Sequence, residues 1–338
     1  MVTSPAAPYR LGFAVKVLGG GGLKEADRRR WQNEPSLARS LEYLDVVFDY
    51  LHTIDVRVYR LSSDLVPYGT HPDLPQFDYR RQLEACRGQL EHLAAKARTY
   101  GLRLSCHPAQ YVVMSSPDER LTTKSLLDLE QDAAVLDALG QGREARVVIH
   151  VGGQYGDKAS ALERWKRAYH RLGEPARTRL VVEHDERSFT LGDVLGLHEA
   201  TDVPVVFDLH HHRLNPTRGL EATADALAAA VATWPAGVRP KVHVSSPRTQ
   251  LDLPRPPRLE QHADLVSPWD MLELVRAAQA PIDVMLEAKA KDLALLWLRE
   301  QLPRVAPDAA LTEERGARAR AGSRDGQTGG RHERAGPT

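Results

Sequence analysis

RVVIHVGGQYGDKASALERWKRAYHRLGEPARTRLVVEHDE occupies residues 146–186, and its order of patterns decides the fold. The run 146–151 is apolar and β-branched, as a strand buried on both faces requires. Residues 157–172 then place apolar side chains at helical spacing, and 179–184 returns to a short β-branched run. Strand, helix, strand over about forty residues is a unit of parallel sheet. Further strand candidates lie at 11–17, 56–61, 102–106, 203–208, 240–245 and 281–287, so eight runs are spread along the chain. Amphipathic stretches follow them at about 36–53, 79–99, 118–139, 191–200, 218–234, 268–279 and 290–302. Thr190 with Asp193 has the form of a capping box, and Ser267-Pro268 the form of an N-cap followed by a first-turn proline. Eight strand–helix pairs predict an α/β fold, a closed (β/α)8 TIM barrel in one domain, residues 1–305. An open doubly wound sheet is the alternative and needs no eighth pair.

The 338 residues carry 45 basic and 45 acidic side chains, so net charge announces neither nucleic acid nor membrane. No run of about 18 apolar residues is present, no secretory signal is evident, and two cysteines cannot make a disulfide framework. A cytoplasmic monomer is expected. Residues 306–338 lose apolar periodicity and gain Gly and Arg, which predicts a disordered tail. Gly19–Gly22 predict a turn after the first strand, and the Pro- and Arg-rich stretch 245–266 a functional loop after the seventh.

Metal-ligand residue types accumulate where the strands end. His107, His150, Glu183, Asp208, His243 and Glu287 close strands three to eight; His211 follows Asp208 by three residues, and His262 lies in the loop after strand seven. One such residue is ordinarily a hydrogen-bonded loop group. Six consecutive strands ending this way place imidazoles and carboxylates around one axis, and carboxylates so gathered repel unless cations neutralise them. Imidazole and carboxylate without thiolate suit Zn²⁺ or Mn²⁺, and the number of candidates exceeds one ion's needs. Two or three divalent ions with a bridging carboxylate are therefore expected, an arrangement suited to phosphodiester hydrolysis by a metal-activated hydroxide. Lys241 shares strand phase with His243 and either points into the barrel or snorkels out of its bottom; Lys289 shares phase with Glu287 and either contacts phosphate or pairs in a loop.

At these residues the chain resembles the UV damage endonuclease family, related to endonuclease IV within the xylose-isomerase-like barrels. The segments that carry the likeness are YRLSSDLVPYGTHP (59–72), LSCHPAQYVVMSS (104–116), VVIHVGG (147–153), VVEHDE (181–186), VVFDLHHH (205–212), KVHVSSP (241–247), QHADLV (261–266) and MLEAKAKD (285–292). The resemblance implies nicking of damaged double-stranded DNA 5′ of cyclobutane dimers and 6-4 photoproducts, with some action at abasic sites. It implies a manganese cluster, with Zn²⁺ or Mg²⁺ as substitutes, held by the eight ligands above. It also implies catalytic roles for Glu183, Lys241 and His71, with Lys241 able to carry a carbamate. Gln110 and Tyr111 are implied as the pair that wedges into the duplex, and Phe13 as a further lesion contact. Two departures stand out: His184 replaces the family's usual Asn beside Glu183, and Phe13 and Val17 replace a Tyr and an Asn after strand one. A sugar isomerase on the same barrel type is the competing enzyme class; the Gln110-Tyr111 loop and the arginines of 248–258 count against it. A DNA-damage-binding protein without turnover is the third reading, opposed by the full ligand set.

Overall fold

The computed structural model describes residues 7–250, 255–307 and 311–315. Its strands are β1 (Tyr9–Ala14), β2 (Val58–Arg60), β3 (Arg103–Cys106), β4 (Arg146–His150), β5 (Leu180–Glu183), β6 (Val205–Asp208), β7 (Lys241–Val244) and β8 (Ile282–Leu286). They pair in sequence order, every pair parallel, and β1 closes the barrel against β8. The helices are α1 (Leu37–Thr53), α2 (Tyr79–Ala85), α3 (Arg87–Tyr100), α4 (Glu119–Ala138), α5 (Lys158–Arg171), α6 (Glu174–Arg179), α7 (Leu191–Thr201), α8 (Leu209–Leu214), α9 (Thr223–Ala232), α10 (Pro268–Ala277) and α11 (Lys291–Val305). The expected TIM barrel is thus present.

Local chemistry sets the boundaries. Ser36, Asp118, Asp157, Thr190 and Ser267 each accept a backbone N–H at a helix start, and Thr190 with Asp193 forms the full capping box. The first strand stops earlier than its apolar run suggests, because Val15 adopts a φ of 64° and breaks the extended chain. The single helix expected over 79–99 divides at Cys86, whose N–H is shared between the Gln82 and Leu83 carbonyls. A short extra helix, α6, starts at Gly173 with Pro175 in its first turn. The glycine run makes the expected turn, with Gly22 N–H bonded to the Gly19 carbonyl.

Alternation along the strands sorts side chains into a helix-facing set and an interior set. Leu11, Phe13, Leu104, Ile149, Val182 and Val284 join the helices in the main core. The interior set is stratified. Towards the strands' N-terminal ends lie Arg10, Arg103, Arg146, Lys241 and Asp283, with Asp283 taking Arg10 and Arg103 at 2.6 Å each. An apolar girdle follows, with Val58 and Met285 in one buried cluster and Val148, Val181 and Val206 in another above Trp234 and Val238. Gly12 belongs to this girdle, and a Cβ there would lie 2.4 Å from the Val58 carbonyl oxygen, so β1 and β2 approach only with glycine at that point. Above the girdle come the strand ends with their histidines and carboxylates.

Within the stretch read as a tail from 306, residues 311–315 lie along the underside of β1. Tyr9 N–H donates to the Thr312 carbonyl at 3.0 Å, Glu314 N–H donates back to Tyr9 at 2.8 Å, and Arg299 holds Glu313 at 2.6 Å. Backbone pairing and an ion pair hold this piece despite its polar composition. Residues 316–338 lie outside the described residues, as do 251–254 of the loop after β7. Among the described residues no helix is long and apolar enough to cross a membrane.

Candidate functional site

Glu183 ends β5 with its side chain turned inward, and it is completely buried. Oε1 accepts from His243 Nδ1 at 2.9 Å, and His211 Nδ1 stands 3.4 Å away. Oε2 faces His107 Nε2 at 3.4 Å and His150 Nε2 at 3.7 Å but has no hydrogen-bond partner among the described residues. Donor atoms of His107, His150 and Glu183 lie within 4.8 Å of one another, as do those of Glu183, Asp208 and His243. His211 N–H donates to Asp208 Oδ1 at 2.8 Å, which fixes the start of α8 against the end of β6. Glu287 extends the group: its Oε1 is 3.4 Å from His243 Nδ1 and its Oε2 is 3.8 Å from His262 Nδ1. All eight expected ligands therefore meet at the C-terminal mouth of the barrel.

Three of the histidines are oriented through the backbone. His107, His211 and His262 donate Nδ1–H to the carbonyls of Pro108, His184 and Glu287, at 3.2, 3.0 and 3.0 Å. Each bond leaves the Nε2 lone pair available, the usual arrangement for a metal-ligating imidazole. The buried Oε2 of Glu183 and Oδ2 of Asp208 have no donor among the described residues, a costly state for carboxylate oxygens that a divalent cation relieves. The residues present thus fit a divalent metal cluster. Burial pushes the Glu183 carboxyl up, yet the surrounding His243 and His150 hold it well below the usual carboxylate range. Burial drives His150 down, towards the neutral form that ligation needs.

His184, the departure beside Glu183, also has a definite place. It is fully buried, and its Nε2 accepts the backbone N–H of Asp208 at 3.1 Å while its carbonyl receives His211. It therefore positions two ligands at once. Arg60 has no counterpart in the sequence reading. From the end of β2 it crosses the barrel to Glu287 at 2.6 Å and to His243 Nε2 at 2.9 Å. A guanidinium only donates, so His243 Nε2 is the acceptor, and Nδ1 is the nitrogen turned to Glu183 and the ligand group. Glu186 was missed as well; it reaches to 3.9 Å from His211 Nε2. Its signal was its place in the loop just beyond the β5 ligand.

The other expected residues separate. Gln110 and Tyr111 are exposed beside the cluster, Tyr111 by 65%. They stand between two clefts: one of about 250 Å³ with Gln110, His107, His150 and Arg187, the other of about 350 Å³ with Tyr111, His71, Arg28 and Lys124. His71 lies in that second cleft and not among the clustered ligands, its Nδ1 accepting Asp73 N–H. Phe13 is a correction. It is fully buried, facing the helices edge-on to Tyr59 with ring centroids 5.4 Å apart, because its strand phase is that of Leu11 and not of inward-facing Gly12. It presents no surface to a lesion, and Val17 is buried too. Lys241 is completely buried in the lower interior, its Nζ without a hydrogen-bond partner among the described residues. Burial, and then the nearby Arg103 and Arg60, push its ammonium well below the ordinary lysine value.

Residues 35–311 match the profile of the family described as UV-endonuclease UvdE. A UV DNA damage endonuclease of Bacillus velezensis is 36% identical over 251 residues, which cover 73% of this chain and 75% of that protein. Another, from Bacillus cereus strain B4264, is 31% identical over 267 residues, covering 79% of this chain and 81% of its own length. Among solved structures, SacUVDE superposes with a TM-score of 0.74 at 24% identity, over 88% of this chain and 99% of that one. Endonuclease IV from Thermus thermophilus gives 0.54 at 18% identity, over 87% and 99%. At those identities the two structures speak for the shared barrel alone.

Proposed function

The chain belongs to the UV-endonuclease family, and from that premise we propose that it is a DNA repair endonuclease that nicks the phosphodiester 5′ of UV photoproducts, with abasic sites as secondary substrates. The observation that carries the reading is the buried Glu183 carboxylate ringed by four imidazoles, at a mouth rimmed by an exposed tyrosine.

His107, His150, Glu183, Asp208, His211, His243, His262 and Glu287 would hold two or three divalent ions, with Mn²⁺ the first to test. Such ions supply a nucleophile at neutral pH and stabilise the charge that develops on both attacking and leaving oxygens. The chain's own groups do the rest. Glu183, which belongs to both candidate ligand groups, would help to hold the ions on either side of it. Arg60 offsets the charge of Glu287, and Arg60 and Arg103 flank the Lys241 amine. Those two guanidiniums oppose a protonated lysine there and favour a carbamate, which carries the opposite charge. Lys16 and Lys291, beside the ends of β1 and β8, act on each other electrostatically and would hold the DNA backbone. Gln110 and Tyr111 fill the space left by the displaced bases, for which an exposed aromatic on a short loop is suited. His71 serves this cleft in substrate positioning.

The test is a nicking assay with Mn²⁺ on UV-irradiated and undamaged duplexes, extended to cyclobutane-dimer, 6-4 and abasic substrates. Cleavage of irradiated duplex alone is expected; equal inactivity on both by the metal-loaded protein would overturn the reading.

A further inference from the structure

The opposite mouth of the barrel holds a further cleft, of about 580 Å³, lined by the turns that enter β4, β5, β6 and β7. Arg143, Arg146, Arg177 and Arg179 line it, against Asp137 and Asp202. Asp137 is already engaged, by Arg179 at 2.5 Å. Neither Arg143 nor Arg177 pairs with a carboxylate among the described residues.

Arg146 is the anchor. It begins β4, turns inward and is only 4% exposed. One guanidinium nitrogen, Nη1, donates to the Thr178 carbonyl at 2.6 Å, and the group lies 5.5 Å from the centre of the Trp234 ring. Its Nε is buried and has no acceptor among the described residues. A buried cation with a spare donor and no carboxylate beside it favours an anion as its partner. Burial, then Arg103, Arg179 and Arg143, pull this guanidinium down to about 10, the opposite of what a paired arginine shows. Four guanidiniums against two carboxylates leave two positive charges on the cleft. That is the charge of a phosphate dianion, and forked N–H donors match its oxygens.

We propose that this lower cleft binds a phosphate dianion, free or as the terminal group of a small phosphomonoester, at a site separate from the catalytic mouth. Tyr169, Pro204 and Pro235 on its walls offer apolar surface to an organic part. Arg146 would face the anion from the floor with its guanidinium charge, and Arg143 and Arg177 would close over it from the rim.

The experiment uses the full chain loaded with Mn²⁺. Crystals soaked in tungstate, a tetrahedral dianion with an anomalous signal, locate anions directly. Calorimetry then measures inorganic phosphate and a nucleoside monophosphate separately, which distinguishes free phosphate from an ester. A tungstate site within hydrogen-bond reach of Arg146 is expected. Phosphate affinity in the lower cleft should fall more than about tenfold when Arg143→Gln and Arg177→Gln are combined, since charge-assisted donors are lost. These two side chains lie at the rim, so the paired variant keeps the fold even where Arg146→Gln does not. Nicking of irradiated DNA should be unchanged in it. Tungstate found only at the catalytic mouth, or an affinity untouched by the paired variant, would overturn the proposal. Neither result depends on the nicking reaction.

Discussion

A carboxylate that accepts from one imidazole and faces three more is unusually exposed to substitution, because each neighbour is oriented with respect to it. Glu183→Gln keeps the volume but removes the charge that the four histidines surround. Nicking should fall by more than about a hundredfold, beyond the loss typical of residues that only orient ligands, while duplex affinity stays within about threefold. A variant that still nicks at the native rate would remove Glu183 from the site. Tyr111 makes a different contribution. Its ring is exposed and touches none of the ligands, so Tyr111→Ala should leave general duplex binding intact. Discrimination between irradiated and undamaged DNA should drop about tenfold, in line with roughly 1–3 kcal/mol per stacked base. Competition binding with the two duplexes measures it, and an unchanged ratio would show that the loop does not read the lesion.

At the scale of elements, the strands were legible because parallel strands in a barrel read as continuous β-branched runs, and their inward-facing ends carried residue types that loops seldom collect together. Arg60 escaped because an arginine at a strand end normally marks a surface; only closure of the barrel brings β2 opposite β7. Phe13 was given to the lesion by the family likeness alone; its strand phase turns it to the helices, as the close approach of Gly12 to Val58 fixes. The helix over 209–214 was equally hidden, since three consecutive histidines look like a polar loop until Asp208 caps them. Helix α4 carries a consequence for pH. Asp132 is buried there, and burial together with Asp128 raises its carboxyl to about 8. Below about pH 4 folded and unfolded chains both hold the proton, and this contribution to stability is intact. Between about 4 and 8 only the folded state keeps it, so stability declines as pH rises and levels off above 8. Asp132→Asn should flatten that decline. Melting temperatures of the two proteins from pH 5 to 8 test this, and parallel curves would refute it.

Over the whole molecule, the barrel is fastened at its base by residues 311–315, which add a short strand-like contact beneath β1 and tie α11 to it through Arg299 and Glu313. A chain ending before Leu311 should melt several degrees lower, roughly 2–4 °C for each kcal/mol lost in a protein of this size, yet nick at an unchanged rate at 25 °C. Loss of activity in the folded truncated protein would give that segment a role in the site. The apolar girdle of Val58, Val148, Val181, Val206 and Met285 has a wider effect. It is a dielectric partition between an acidic, metal-fitting compartment and a basic one, and Lys241, in the lower compartment, senses Arg103 and also Arg60 beyond the partition. Substitutions on opposite sides of such a partition should be genetically independent, with double-variant stabilities equal to the sum of the single ones within about 0.5 kcal/mol. Pairs that include Lys241 should break that additivity, so the two ends of the barrel are free to diverge separately everywhere except along one side chain.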